Sequence, residues 1–419
     1  MEKVTQTAKA ALHYFHSFLQ WTGIGILIGC GGGLAGAAFS YAMEGVTGMR
    51  ESHPWLLFLL PLAGLVIVFL YHRAGIYRSR GTNLVLLAVR TKEQIPGTVA
   101  PLIFISTVLT HLCGGSAGRE GAALQLGGSI AQWIGKRLKL GEKGLHTATM
   151  CGMSACFSAL FGAPVTAAVF SMEVVSVGIM HYSALVPCVA ASVTAGLITK
   201  ALGIAPEAFP MTGVPAAIEI GPVLQVGALA VLAAVVSILF CIVLKTAARL
   251  YEKFLPNQYL RVAAGGLLVL ALTFACGSRD YCGAGTHVIA RAVAGEARPE
   301  AFLLKMLFTA LTLEAGFKGG EIVPTLFIGS CFGCVAGGLL GLSPSFGAGI
   351  GLMAVFCGVT NCPLTAVFLA VELLGAEGLV WYMLAAAVSY MLSGYFGLYS
   401  KQKILYAKEA PEFIDASCK

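Results

Sequence analysis

Long apolar runs recur along this chain. Ile24–Met43, Trp55–Tyr71, Val223–Leu244 and Leu379–Tyr395 are each about the length a helix needs to cross the hydrocarbon of a bilayer, roughly 20 residues. Between them lie segments too short or too interrupted to cross alone. Gly81–Arg90 is one. Gly121–Leu138 and Ile322–Leu340 begin at or directly after Gly/Glu signatures, and Pro164–Val177 and Pro363–Leu374 begin at a proline, which suits the first turn of a helix. The pattern predicts an all-α polytopic membrane protein in which several helices are broken. Met1–His16 is polar and mildly basic and predicts a surface helix. No small-residue cleavage site follows an early short apolar core, so no signal peptide is expected.

The pattern also repeats. Gly152-Met153-Ser154-Ala155-Cys156-Phe157, running on to Pro164-Val165-Thr166-Ala167 and Glu173, returns 199 residues later as Gly351-Leu352-Met353-Ala354-Val355-Phe356, then Pro363-Leu364-Thr365-Ala366 and Glu372. Seven of 22 positions are identical without a gap, and they include Gly, Phe, Pro, Thr and Glu in register. Gly118-x-Glu120 matches Gly319-x-Glu321 at a shift of 201, and Gly128-Ser129 matches Gly329-Ser330. Gly81-Thr82-Asn83 matches Gly285-Thr286-His287 at 204. The expected organisation is a surface helix over 1–16, a first membrane repeat over 17–203, a linker over 204–218, a second repeat over 219–395 and a C-terminal segment over 396–419. Short, Gly/Pro-interrupted segments at corresponding places of two halves point to a binding site.

Composition agrees. The chain is 57% hydrophobic and 11% charged, where a soluble domain carries about 25% charged residues. Its 52 glycines suit close helix packing and helices that break where backbone lines a cavity. The net charge of +7 sits in short clusters, Lys136-Arg137-Leu138-Lys139 and Lys401-Gln402-Lys403, which read as cytoplasmic flanks of membrane segments rather than as a nucleic-acid surface. Many of the 13 cysteines lie in apolar runs as small packing residues. Cys331-x-x-Cys334 has no accompanying His or Cys cluster, and neither a metal nor a cofactor is expected. Cys276 and Cys282 flank a polar loop, and their pairing is left open.

The candidate chemistry lies in acids at membrane depth. A carboxylate there is expensive and marks a functional site by default. Glu120 and Glu321 both sit beside glycines where helices are expected to start. A helix N-terminus offers unpaired N–H groups and the positive end of the dipole, and so binds anions. Starts are expected after Gly81, near Gly121 and after Gly320, with a fourth near Tyr399-Ser400. Converging, they would hold a small anion weakly enough to release it. Glu120 has two readings: a carboxylate that occupies the anion site and leaves it on protonation, or a structural partner of Arg119. Glu321 is either a second proton carrier or a partner for Lys318, three residues earlier and within reach if that stretch is helical. Glu173 and Glu372 end matching helices and read as structural. Thr82 and Asn83 either donate to the anion or cap their own short helix. The hydroxyl of Tyr399, taken alone, needs only some hydrogen-bond partner, and His287 reads as structural. No nucleophile, metal cluster or phosphate loop supports an enzyme.

Gly118-Arg119-Glu120-Gly121, Gly319-Gly320-Glu321-Ile322-Val323-Pro324, the two Phe…Pro…Glu repeats and Tyr399 resemble the CLC family of anion channels and proton-coupled anion transporters, over about residues 20–405. Within it the chain looks most like the bacterial fluoride/proton antiporter branch. Gly81-Thr82-Asn83-Leu84 stands where chloride-type members have Gly-Ser-Gly-Ile-Pro. Val174 stands where chloride exchangers carry a relay Glu, and Glu321 where they have an apolar residue. One departure is Val323, where the fluoride branch commonly has Thr. The resemblance implies two inverted repeats of tilted and broken helices. It makes Glu120 the gating glutamate and proton acceptor and Glu321 the second proton-handling acid. Thr82, Asn83, Gly121, Ile322, Val323 and Tyr399 would contact the anion. It further implies a homodimer in a bacterial cell membrane, exporting fluoride against inward protons. A chloride or nitrate exchanger and a passive channel are the alternatives.

Overall fold

A computed structural model describes residues 2–77 and 79–418. The first half contains α1 (Glu2–Ser52), α2 (Leu60–Arg73), α3 (Thr82–Arg90), α4 (Val99–Leu112), α5 (Glu120–Arg137), α6 (Glu142–Phe161), α7 (Pro164–Glu173) and α8 (Leu185–Ala201). The second contains α9 (Ile220–Phe254), α10 (Gln258–Cys276), α11 (Thr286–Val293), α12 (Ala301–Leu313), α13 (Ile322–Leu339), α14 (Pro344–Thr360), α15 (Pro363–Leu374) and α16 (Leu379–Leu392). Packing partners correspond one for one: α5 on α6 as α13 on α14, α1 on α6 and α8 as α9 on α14 and α16, and α2 on α4 as α10 on α12. Six segments among the described residues are long and apolar enough to cross a membrane.

The halves are inverted, and side chains show it. α7 and α15 start at prolines, and neither has a capping side chain of its own. The cap comes from the other half. Glu173, the last residue of α7, accepts from the Leu364 and Thr365 N–H groups at 3.1 and 2.8 Å, and from the Thr365 hydroxyl. Glu372, near the end of α15, accepts from the Val165 and Thr166 N–H groups at 3.0 and 2.8 Å, and from the Thr166 hydroxyl. Each helix ends where its counterpart begins, so the two run antiparallel. A carboxylate at a helix start satisfies orphan donors and meets the positive end of the dipole.

The interior is built on α6 and α14. Ala148–Phe161 and Ser345–Thr360 are buried on every side, as helices enclosed by other helices must be. Glycines make the closest crossings. Gly127 faces Gly152 and Gly329 faces Gly351, with no room for a Cβ at any of the four. On α1, a Cβ at Gly25, Gly29 or Gly33 would lie 2.6–2.9 Å from the backbone of α8. These are small-residue contacts of the kind that replace the hydrophobic drive inside a membrane.

Several expectations need correction. The helix expected over Pro164–Val177 ends at Glu173. Ser176–Val177 instead forms a short strand, β1, parallel to β2 (Lys403–Tyr406), which pairs antiparallel with β3 (Phe413–Ser417). No helix starts near Tyr399–Ser400. The Gln402 N–H bonds back to the Tyr399 carbonyl at 2.9 Å, and this turn leads into β2. The expected surface helix over 1–16 is helical from Glu2 and exposed over Gln6, Thr7 and residues 9–16, but it is not a separate element: the helix runs unbroken to Ser52, with no proline before Pro54. At about 1.5 Å per residue, α1 is far longer than a bilayer is thick. The 204–218 stretch carries no helix and is tied to both halves, by Glu207 N–H to Phe161 O at 3.1 Å and Phe209 N–H to Leu373 O at 2.7 Å. All thirteen cysteines are free, Cys276 and Cys282 included.

Candidate functional site

At the centre, the loops before α5 and α13 meet. Gly118 N–H donates to Gly320 O at 2.7 Å, and Gly320 N–H to Gly118 O at 2.8 Å, an antiparallel bridge between the halves. Such proximity requires glycine. A Cβ at Gly320 would lie 2.5 Å from the Gly121 nitrogen, and one at Gly118 would strike the Glu120 carboxylate. The bridge sets the true register of the repeat. Gly118 pairs with Gly320, and the N-caps are Arg119 and Glu321. The correspondence is therefore offset by 202 residues, not 201. Glu120 is the first residue of α5, and its counterpart is Ile322; the counterpart of Glu321 is Arg119. One residue is a rotation of about 100° around a helix, so the two acids project differently from equivalent helices.

Glu120 is fully buried. Its carboxylate crosses to the other half, where one oxygen accepts the Val323 N–H in the first turn of α13 at 3.3 Å. The other oxygen has no partner. Arg119 does not pair with it: the guanidinium forms an ion pair with Glu207, both groups largely shielded from solvent. Glu321 is partly buried and has no ion-pair partner among the described residues. The stretch before it is not helical, so the spacing from Lys318 does not bring the two together. The Lys318 ammonium lies over the Tyr71 ring instead, 4.8 Å from its centroid.

The remaining candidates divide. Gly121 packs against Thr82, whose hydroxyl is 3.0 Å from where a Cβ of residue 121 would stand. Thr82 is buried at the start of α3, after Gly81, whose φ of +55° favours glycine. Ile322 and Val323 are buried in the first turn of α13. The Tyr399 hydroxyl is buried with no hydrogen-bond partner, and Glu321 and Glu120 are the carboxylates acting on it. Glu120, Gly121, Thr82 and the α13 start therefore meet in one small region, with Glu321 as the N-cap of α13 and Tyr399 within electrostatic reach of both acids. Asn83 stands aside: its Oδ1 accepts the Lys401 N–H at 2.9 Å rather than capping α3. His287 is exposed and faces Asp280 at 3.2 Å.

Tyr399 is held by residues that had no sequence signal. The Gln402 amide donates to Val174 O at 2.9 Å and Thr360 O at 2.8 Å, the ends of α7 and α14. Asn361, at φ +57°, donates to Phe396 O at 3.0 Å, and Lys408 reaches Asn361, Tyr390 and Ser393. Val174 is thus engaged through its carbonyl, a role indifferent to its apolar side chain.

Residues 63–394 match the family model described as "Voltage gated chloride channel". The chain belongs to that family. It is 33% identical over 396 residues to a "Chloride/fluoride channel protein" of Pseudomonas syringae pv. tomato, covering 93% of this chain and 87% of the relative. Among solved structures it is similar to a CLC-type fluoride/proton antiporter, with a TM-score of 0.88 and 31% identity over 92% of this chain and 98% of that one. A slow cyanobacterial Cl−/H+ antiporter shares the fold at a TM-score of 0.77 and 18% identity, over 89% and 94% of the two chains. The chain is a multi-pass membrane protein of a family that transports anions and protons.

Proposed function

We propose that this protein is a proton-coupled antiporter that exports fluoride across the bacterial cell membrane, working as a homodimer with one pathway per subunit. One observation carries the reading: the Glu120 carboxylate occupies the N-terminus of α13, where a bound anion would sit. Carboxylate and fluoride then compete for the same N–H groups. Burial favours the neutral acid, and the helix-start N–H groups favour the carboxylate. A proton taken up by Glu120 weakens its hold, so anion and proton movements become linked. Fluoride is small and accepts hydrogen bonds strongly. The Val323 N–H, the Thr82 hydroxyl and the unpartnered Tyr399 hydroxyl are the donors it would meet, with Ile322 and Gly121 completing the wall and Asn83 holding the Tyr399 segment. Glu321, offset by one residue at the α13 start, is the second proton-handling acid.

The choice of fluoride rests on Glu321 and Val174 and on similarity to the fluoride/proton antiporter structure. The test is flux from proteoliposomes loaded with fluoride or chloride, followed with ion electrodes and a pH probe. Fluoride efflux with opposing proton uptake, lost in Glu120→Ala, is the expected result. Chloride flux at a comparable rate would sink the fluoride assignment. Fluoride flux without proton movement would make the protein a channel.

A further inference from the structure

Beside the central site lies a polar cavity of about 640 Å³ whose lining includes Tyr71, Ser79, Glu252, Arg261, Glu314 and Lys318. Of its two lining carboxylates, Glu252 is exposed, and Glu314, the C-cap of α12, is half-buried. Tyr71 is 96% buried, lines this cavity, and has a hydroxyl without a hydrogen-bond partner, although Ser79 lies alongside. The charged groups within electrostatic reach of Glu314 are Glu321 at the α13 start, Lys318, Glu252 on α9 and Arg261 on α10; Tyr251 on α9 also faces it. The Glu314 carboxyl is in no ion pair with Lys318 or Arg261.

The cavity has a side. Its rim is joined to the basic face of the molecule: the Gln258 amide donates to Tyr77 O, and Arg80 pairs with Glu93. Arg90 donates to Lys401 O, and Lys92 pairs with Glu142 beyond the Lys136–Lys139 cluster. Basic residues concentrate on the cytoplasmic side of membrane proteins. Glu252 and Glu314 offer two carboxylates that can take up protons, and none of Thr82, Gly121, Val323 and Tyr399 lines this cavity.

Resting on the antiporter reading above, we infer that Glu314 is the proton outlet of this transporter, passing protons between Glu321 and cytoplasmic water by a route separate from that of the anion. In the step, the O–H bond of the neutral Glu321 carboxyl breaks as its proton passes to a water, forming hydronium, which gives the proton to a Glu314 carboxylate oxygen and returns to water. Glu314 then gives the proton to a cavity water, forming hydronium, and returns to its carboxylate. Lys318 and Arg261 balance its charge, and the Tyr71 hydroxyl holds water in the passage.

The test uses the full chain in proteoliposomes. Wild type must first move protons against fluoride; fluoride flux without protons defeats the antiporter reading and this inference with it. If wild type is coupled, Glu314→Gln is expected to lower proton uptake and fluoride efflux together by about ten-fold. Fluoride binding measured by calorimetry should stay within about two-fold, and Glu314→Asp should keep at least about a third of the wild-type rate. Wild-type rates in Glu314→Gln, or an Asp variant as slow as the Gln variant, overturn the inference while leaving the antiporter reading intact. Glu314→His guards against a Gln variant that does not fold. As a second proton-bearing side chain it should move protons at least about three-fold faster than Glu314→Gln, and a His variant no faster than the Gln variant counts against the outlet.

Discussion

The two halves agree at one pair of helix starts and differ at another. At α7 and α15 the exchange is symmetrical: Glu173 caps α15 and Glu372 caps α7, with the same three donors each and distances within 0.1 Å. At α5 and α13 it is not. The backbones correspond, but Arg119 faces Glu321 in the equivalence and Glu120 faces Ile322. One start therefore sends a carboxylate across to the other, and nothing returns. Symmetry is kept where two helices hold each other in place. It is broken at the central bridge, where two equivalent carboxylates converging from both halves would repel each other.

Glu120→Ala breaks the asymmetric pair, and the largest effect is expected from it: proton uptake in proteoliposomes should fall by about 100-fold or more, to background, a loss of at least ~2.7 kcal/mol in coupling. A proton uptake retained within ten-fold would remove Glu120 from the mechanism. The symmetric pair should respond through stability instead. Glu173→Ala and Glu372→Ala each strip three donors of a charged acceptor and should cost about 2–3 kcal/mol apiece, read as equal falls in the thermal midpoint in detergent. Unequal falls would show that one cap has a further role. Glu321→Gln tests the offset acid: about a ten-fold loss of proton coupling, ~1.4 kcal/mol, with the thermal midpoint unchanged. The smallest effect belongs to Tyr399→Phe, which removes one unpartnered hydroxyl. Fluoride binding by calorimetry should weaken about five-fold, ~1 kcal/mol, and unchanged affinity would place the anion away from Tyr399.

Two corrections show why register was hard to read. Gly118-x-Glu120 and Gly319-x-Glu321 align by identity at a shift of 201, because two glycine–glutamate pairs look alike as letters. The bridge between Gly118 and Gly320 shows the shift to be 202. Gly319 is instead held against Ala117. Likewise the apolar residues after Glu173 suit a helix as well as a strand, and their state is decided by Lys403–Tyr406, more than 200 residues on.

The sequence by itself determined the membrane class, the repeat and the two acids worth attention. Burying so many apolar side chains needs lipid, and a carboxylate retained among them needs a reason. It also marked the helix starts, since proline and glycine act on their own backbone. Which groups those starts face was decided by tertiary structure alone. The caps at α7 and α15, the crossing of Glu120 to α13, the Arg119–Glu207 pair, the Gln402 anchor and the cavity at Glu314 each join residues distant in the chain. Hydrogen bonds and charges act over a few ångströms of space, and spacing along a sequence carries no record of which distant segments will close that gap.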